Sequence, residues 1–224
     1  MKKYEFTGEV KSWLGHTLHQ IRATVSFGTV NKGDIGGWIE KEDNLAQDGD
    51  AWVYGDARVC GNARVCGNAW VYGDAWVYGN AQVCGDAWVY GNARVYGNAR
   101  VYGDAWVYGD ARVYGDARVC GNAWVYGDAW VYKAQSHHLV IGPIGSRAGA
   151  TTFFRAKDLK IYVACGCFQG DIDAFATAVR NTHGDNTHAK MYLQAIEMAK
   201  MAIDLTPEEV KECTQEDAPA ADVI

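Results

Sequence analysis

Between Ala51 and Tyr132, small apolar and variable positions alternate within a six-residue phrase, Ala-x-Val-x-Gly-Asp/Asn, which returns without a gap. Alanine stands at every sixth position from 51 to 129, giving fourteen units, and valine follows two places after each. The alternation predicts a short strand with Ala and Val on its inner face. Gly-Asp or Gly-Asn then predicts a corner, because these residues tolerate the left-handed backbone of a tight bend. Alanine suits the cramped place beside a corner, and β-branched Val the middle of a flat side. Self-similarity at this period is the mark of a solenoid, and a hexapeptide period points to a β-helix.

A second period, of eighteen, runs through the variable positions. In every third unit the residue after Ala is Trp52, Trp70, Trp88, Trp106 and Trp124, and the residue after Val is Tyr54, Tyr72, Tyr90, Tyr108 and Tyr126. A second set carries Arg58, Trp76, Arg94, Arg112 and Trp130, with Cys60, Tyr78, Tyr96, Tyr114 and Tyr132. The third carries Arg64, Gln82, Arg100 and Arg118, with Cys66, Cys84, Tyr102 and Cys120. Residues eighteen apart therefore stack, and the coil has three sides.

The repeat resembles the left-handed β-helix of the hexapeptide-repeat superfamily, whose members include many acyltransferases. That resemblance implies a triangular prism of about five coils, roughly 24 Å tall at about 4.8 Å per coil. It also implies a tendency to form trimers.

Residues 1–44 are expected to form an amino-terminal β cap. Tyr4 to Val10 and Leu18 to Phe27 alternate as strands do, with glycine and Asn-Lys-Gly turn signals between and after them. Leu45 lies six before Ala51 and marks an irregular first unit of a β-helix over 45–136. Capping is needed because an open coil end exposes both its interior and its strand edges. Residues 137–204 are expected to form a small α+β module. Thr152 to Ala156 and Leu159 to Cys165 form a hairpin around Lys157-Asp158. Leu139 to Ile144 is a short apolar run followed by a loop from Gly145 to Ala150, and the glycine-rich stretch Gly142 to Thr152 lacks the Gly-Lys-Ser/Thr ending of a phosphate-binding loop and is read as just a loop. Asp171 caps a helix carrying Ile172, Phe175 and Val179 on one face. A second helix carries Ala189, Tyr192, Ile196 and Ile203. Thr206-Pro207-Glu208-Glu209 suits one more turn, and residues 205–224 form an acidic tail expected to be disordered beyond about Cys213. The passage Gly36 to Tyr54 resembles the start of small bacterial and bacteriophage hexapeptide-repeat proteins. Gly142-Pro143-Ile144-Gly145-Ser146-Arg147, Thr151-Thr152-Phe153-Phe154, Cys165-Gly166-Cys167-Phe168 and Thr182-His183-Gly184-Asp185-Asn186 resemble a carboxy-terminal module of phage and prophage proteins.

A net charge of −6 leaves no strongly basic domain to gather phosphates, which argues against bulk nucleic-acid binding. No run of about 18 apolar residues spans a membrane. The seven cysteines, with no secretion signal before them, are expected to be reduced thiols in a cytoplasm, that of a bacterial host if the chain is phage-encoded. Cys66 and Cys84 stack one strand spacing apart, and in-register parallel side chains are expected to meet disulfide geometry poorly.

Acyltransferases of the resembled superfamily use a histidine as general base, yet all six histidines here lie outside the repeat. Cys165, Cys167, His183 and His188 are suitable zinc-ligand types, but a Cys-x-Cys spacing is not that of a zinc knuckle. The alternative places both cysteines in or near the core of a small domain, with His183 in a helix–helix loop. No cofactor is expected. The aromatic side is the strongest candidate: its Trp and Tyr should point outward, making an apolar patch of the kind that marks an interface. Its possible occupants are other copies of the chain around a three-fold axis, a host protein, or a small ligand such as a nucleotide or glycan. The ladders Arg94/Arg112 and Arg100/Arg118 are a weaker binding candidate, since Arg beside Tyr suits a phosphate-bearing aromatic ligand by pairing and stacking; the alternative is a solvated surface on which these like charges repel and corner aspartates offset them. Together these features predict a non-catalytic interaction protein; a nucleotide-sequestering protein and an acyltransferase-like enzyme are the alternatives.

Overall fold

A computed structural model, which describes residues 2–132 and 137–207, realises the six-residue phrase as fourteen two-residue strands, β4 (Trp52–Val53) to β17 (Trp130–Val131), one per unit. These follow strands β1 (Tyr4–Trp13), β2 (His16–Ala23) and β3 (Ile35–Ile39). Every Ala and Val of the repeat points inward and is buried. The corner glycines from Gly55 to Gly127 all have φ between +59° and +73°, the region that a side chain disfavours. Strands eighteen residues apart pair in parallel and in register, as in Trp88↔Trp106 and Val89↔Val107. The result is a three-sided parallel solenoid with sheets β4-β7-β10-β13-β16, β5-β8-β11-β14-β17 and β6-β9-β12-β15.

The amino-terminal segment is continuous with one side of this solenoid. Trp38 and Ile39 of β3 pair in parallel with Arg58 and Val59, so the sheet runs from the solenoid straight into the β1–β2 hairpin. Leu45 bridges Val65 and starts another side, as an irregular first unit would. Lys3 closes the open end: its Nζ donates to the carbonyls of Gly49 (3.2 Å) and Ala51 (2.9 Å), and burial pulls its pKa down to about 8.

At the other end, β18 (His138–Ile144), β19 (Gly149–Arg155), β20 (Ile161–Cys165) and β21 (Phe168–Asp171) form an antiparallel sheet. Alternation along it serves two cores. Phe154, Tyr162 and Ala164 pack on the solenoid, while Phe153, Ile161 and Val163 pack on helices α1 (Ile172–His183) and α2 (Thr187–Ala202). Asp171 Oδ1 accepts from the Ala174 amide at 2.8 Å and Asn186 Oδ1 from the Ala189 amide at 3.0 Å, fixing both helix starts.

Three expectations need correcting. The stretch from Gly142 to Thr152 is mostly strand, since β18 runs to Ile144 and β19 starts at Gly149; the glycines bound a hairpin rather than fill a loop. Cys66 and Cys84 form a disulfide. Their Cα atoms lie 4.7 Å apart, inside the window for such a bond, so parallel direction alone did not exclude it. Thr206 and Pro207 are not helical; Glu208, Glu209 and the tail beyond Cys213 lie outside the described residues. No described helix is long and apolar enough to cross a membrane.

Candidate interaction surface

The first side of the solenoid is a double row of rings. Trp70, Trp88, Trp106 and Trp124 follow one another at centroid spacings of 6.3, 5.2 and 5.4 Å. Tyr72, Tyr90, Tyr108 and Tyr126 follow at 4.8, 5.0 and 5.6 Å. Strand spacing sets this repeat, and flat rings in register have no closer neighbour than the next coil's ring. Tyr90 shows the effect of the stack: burial, and then Tyr72 and Tyr108 beside it, pushes its phenol up to about 12.

Both ends of the row are covered, contrary to the expectation that all ten rings face outward. Trp52 is fully buried, with Phe27 edge-on at 5.4 Å and Tyr4 at 6.5 Å. Tyr126 meets Phe154 edge-on at 5.1 Å and donates to the Val163 carbonyl at 3.0 Å. Gln169 donates to the Tyr108 hydroxyl at 2.6 Å, and the Trp124 amide donates to Thr152 Oγ1 at 3.1 Å. Between the covers lie Trp70, Trp88 and Trp106 with Tyr72 and Tyr90, all half-buried because stacking hides their faces and leaves the edges. Tyr54 is exposed.

On the second side every arginine of the column has an indole as a neighbour, although Arg94 and Arg112 also meet each other. Lys11 lies 3.9 Å over Trp38; Arg58 and Arg94 lie 5.4 and 4.4 Å from Trp76; Arg112 lies 5.0 Å and Lys157 5.7 Å from Trp130. Ring quadrupoles thus offset the Arg94–Arg112 contact, where corner aspartates were expected to. Among the described residues no arginine of the repeat pairs with an aspartate. On the third side Arg100 and Arg118 stack in register and exposed, flanking Tyr102, whose hydrogen bond with Cys120 raises its pKa.

The remaining candidates sit in the terminal module. Cys165 Sγ accepts from Thr151 Oγ1 at 3.2 Å and donates to the Tyr192 hydroxyl at 3.7 Å, which makes it a half-buried, hydrogen-bonded thiol packed against the core of the module. Cys167 is exposed in the β20–β21 turn, and the His183 and His188 rings are 5.9 Å apart. Among the described residues no three His, Cys, Asp or Glu side chains are grouped as a metal ion requires. His137 is buried against Arg155, and burial beside His137 pulls the His138 pKa down to about 4. What the sequence reading missed is that Arg147, Cys165, Tyr192 and His183 line one cavity; they are far apart in the chain, and only the β21 pairing and the helix docking bring them together.

Residues 57–73, 63–79, 81–95, 93–109, 105–119 and 117–133 match the YdcK beta solenoid repeat. No curated protein matches the chain. The chain is a β-solenoid repeat protein, similar through its coils to that repeat.

Proposed function

We propose that the protein is a rigid, non-catalytic scaffold that associates laterally with copies of itself through the aromatic side. The observation that carries this is the open stretch of Trp70, Trp88 and Trp106 beside Tyr54, Tyr72 and Tyr90, lying between two covers. Both ends of the solenoid are closed by added sheets, so growth along its axis is blocked and side-by-side contact is left. A chain of net charge −6 repels its copies, but the outward strand positions of this side are all Trp and Tyr, its aspartates standing only at the corner. Its approach carries the least Coulombic cost, and Trp and Tyr contribute most per residue to such contacts. Three copies around an axis parallel to the solenoid fit the hexapeptide-repeat resemblance.

The geometry gives less support to a stacking ligand. Tyr72, Tyr90 and Tyr108 lie within 4° of parallel, and their faces are already used by one another. A sugar or base would find ring edges. An acyltransferase reading would need a histidine poised on a coil, and the repeat contains none.

The test is the mass of the Trp88→Ala/Trp106→Ala variant in solution. Loss of the assembly with an unchanged β circular-dichroism signal is expected, whereas Tyr102→Ala on the third side leaves the assembly intact. An oligomer that survives the double substitution contradicts the proposal.

A further inference from the structure

On the face of the terminal sheet turned away from the solenoid, α1, α2 and two hairpin turns line an open cavity of about 400 Å³. That volume lies in the range of small-molecule sites. Phe168, Phe175 and Val179 make an apolar floor, the last two buried. One wall is Tyr192, buried to 7% exposure, with the His183 ring stacked on it at 5.8 Å. The wall is closely built. Gly145 has φ +73°, and a Cβ there would fall 1.8 Å from the Tyr192 hydroxyl oxygen, so only glycine lets the β18–β19 turn pass. Cys165 joins this wall through its contact with the Tyr192 hydroxyl.

The rim has a single sign of charge. Arg147 is exposed at the mouth, its Nη1 3.8 Å from where a Cβ on Gly166 would stand, and exposed Thr182 also lines the cavity. The chain carries 27 Asp and Glu residues, yet none lines this cavity. Among the described residues Arg147 makes no ion pair. A guanidinium left without a carboxylate, at the edge of an apolar floor, is complementary to a molecule with one anionic and one apolar end.

We infer that this cavity binds a small organic anion, its carboxylate or phosphate on Arg147 and its apolar body against Phe168, Phe175 and Val179. The inference stands on the terminal module alone and does not depend on association through the aromatic side.

Cys167, exposed in the turn that lines the cavity, provides a local reporter, and Cys120 on the solenoid provides a reference. The full-length protein is alkylated with iodoacetamide in the presence of phenyl phosphate or benzoate, and each cysteine is followed by peptide mass spectrometry. Only the empty form reacts, so alkylation of Cys167 slows about threefold when the probe stands at twice its dissociation constant. Cys120 should be unaffected. Inorganic phosphate and benzyl alcohol each offer half of the required chemistry and should protect far less. Whichever of the two anions protects more strongly identifies the acid group. Arg147→Ala, at an exposed position that leaves packing intact, should abolish protection, and Val179→Trp should abolish it by filling the floor. The inference is overturned if neither anion protects Cys167 up to its solubility limit. It is equally overturned if benzyl alcohol protects as well as the anions, if Cys120 is slowed to the same degree, or if Arg147→Ala leaves protection unchanged.

Discussion

Stacking at a fixed spacing forces each side chain of the repeat to find terms with the same position one coil away. Tyrosines and tryptophans do this with their faces, and Asn62, Asn80 and Asn98 do it by donating amide to carbonyl down one corner, ending on Asp116. Arginines cannot; on the second side Arg58, Arg94 and Arg112 meet the rings of Trp76 and Trp130 instead, whereas Arg100 and Arg118 on the third side stack in register and exposed. A cation–π contact contributes about 0.5–1 kcal/mol at such sites, comparable with a surface ion pair, so indoles replace aspartates at no loss. The Cys66–Cys84 bond is the covalent version of the same contact. It closes an 18-residue loop, for which chain entropy gives about 3 kcal/mol, so Cys66→Ser with Cys84→Ser should lower stability by about that amount. Without reduction, the tryptic peptide 65–94 should be lighter by one pair of hydrogens. A titration prediction also belongs at this scale. The His138 pKa falls from 6.5 to about 4 on folding, so between those values the unfolded chain binds the extra proton. Stability should therefore decline as pH drops from 6.5 towards 4, by up to roughly 3 kcal/mol, and level off below. His138→Leu should flatten that decline in chemical denaturation series; an equally steep decline in the variant assigns it to other groups.

At the scale of one strand and corner, the backbone sets the tolerance of each glycine. A Cβ on Gly49 would stand 2.4 Å from the Gly67 carbonyl oxygen, whereas one on Gly127 meets nothing within 4 Å among the described residues. Both substitutions carry the left-handed penalty of roughly 1–2 kcal/mol, but Gly49→Ala must also push neighbouring coils apart. Its melting temperature should fall clearly below that of Gly127→Ala, and equal losses would mean that conformation alone governs the corners. These strands were legible because everything that defines them lies within six residues: Ala and Val inward, glycine at the bend. The helices were legible for the same reason, through Asp171 and the spacing of Ile172, Phe175 and Val179. Strand β21 was not, because Phe168-Gln169-Gly170-Asp171 has no alternation of its own and is held by pairing to β20. The Arg147 cavity was hidden likewise, since its lining comes from two turns and two helices that only tertiary packing assembles.

The whole molecule is a layered rod: amino-terminal sheet, solenoid, terminal sheet, helices. The eighteen-residue period made the aromatic side visible in the sequence, but not its covers. Phe27, Phe154 and Gln169 reach that side from segments whose docking no local pattern encodes, and they leave only its middle coils open. Association through that open middle is best probed by native mass spectrometry of the full-length chain. A multiple of 24.6 kDa with no additional mass is expected, a trimer by the resemblance, reduced to a folded monomer by Trp88→Ala with Trp106→Ala. A wild-type chain that stays monomeric at micromolar concentration, or an oligomer indifferent to both substitutions, would contradict it.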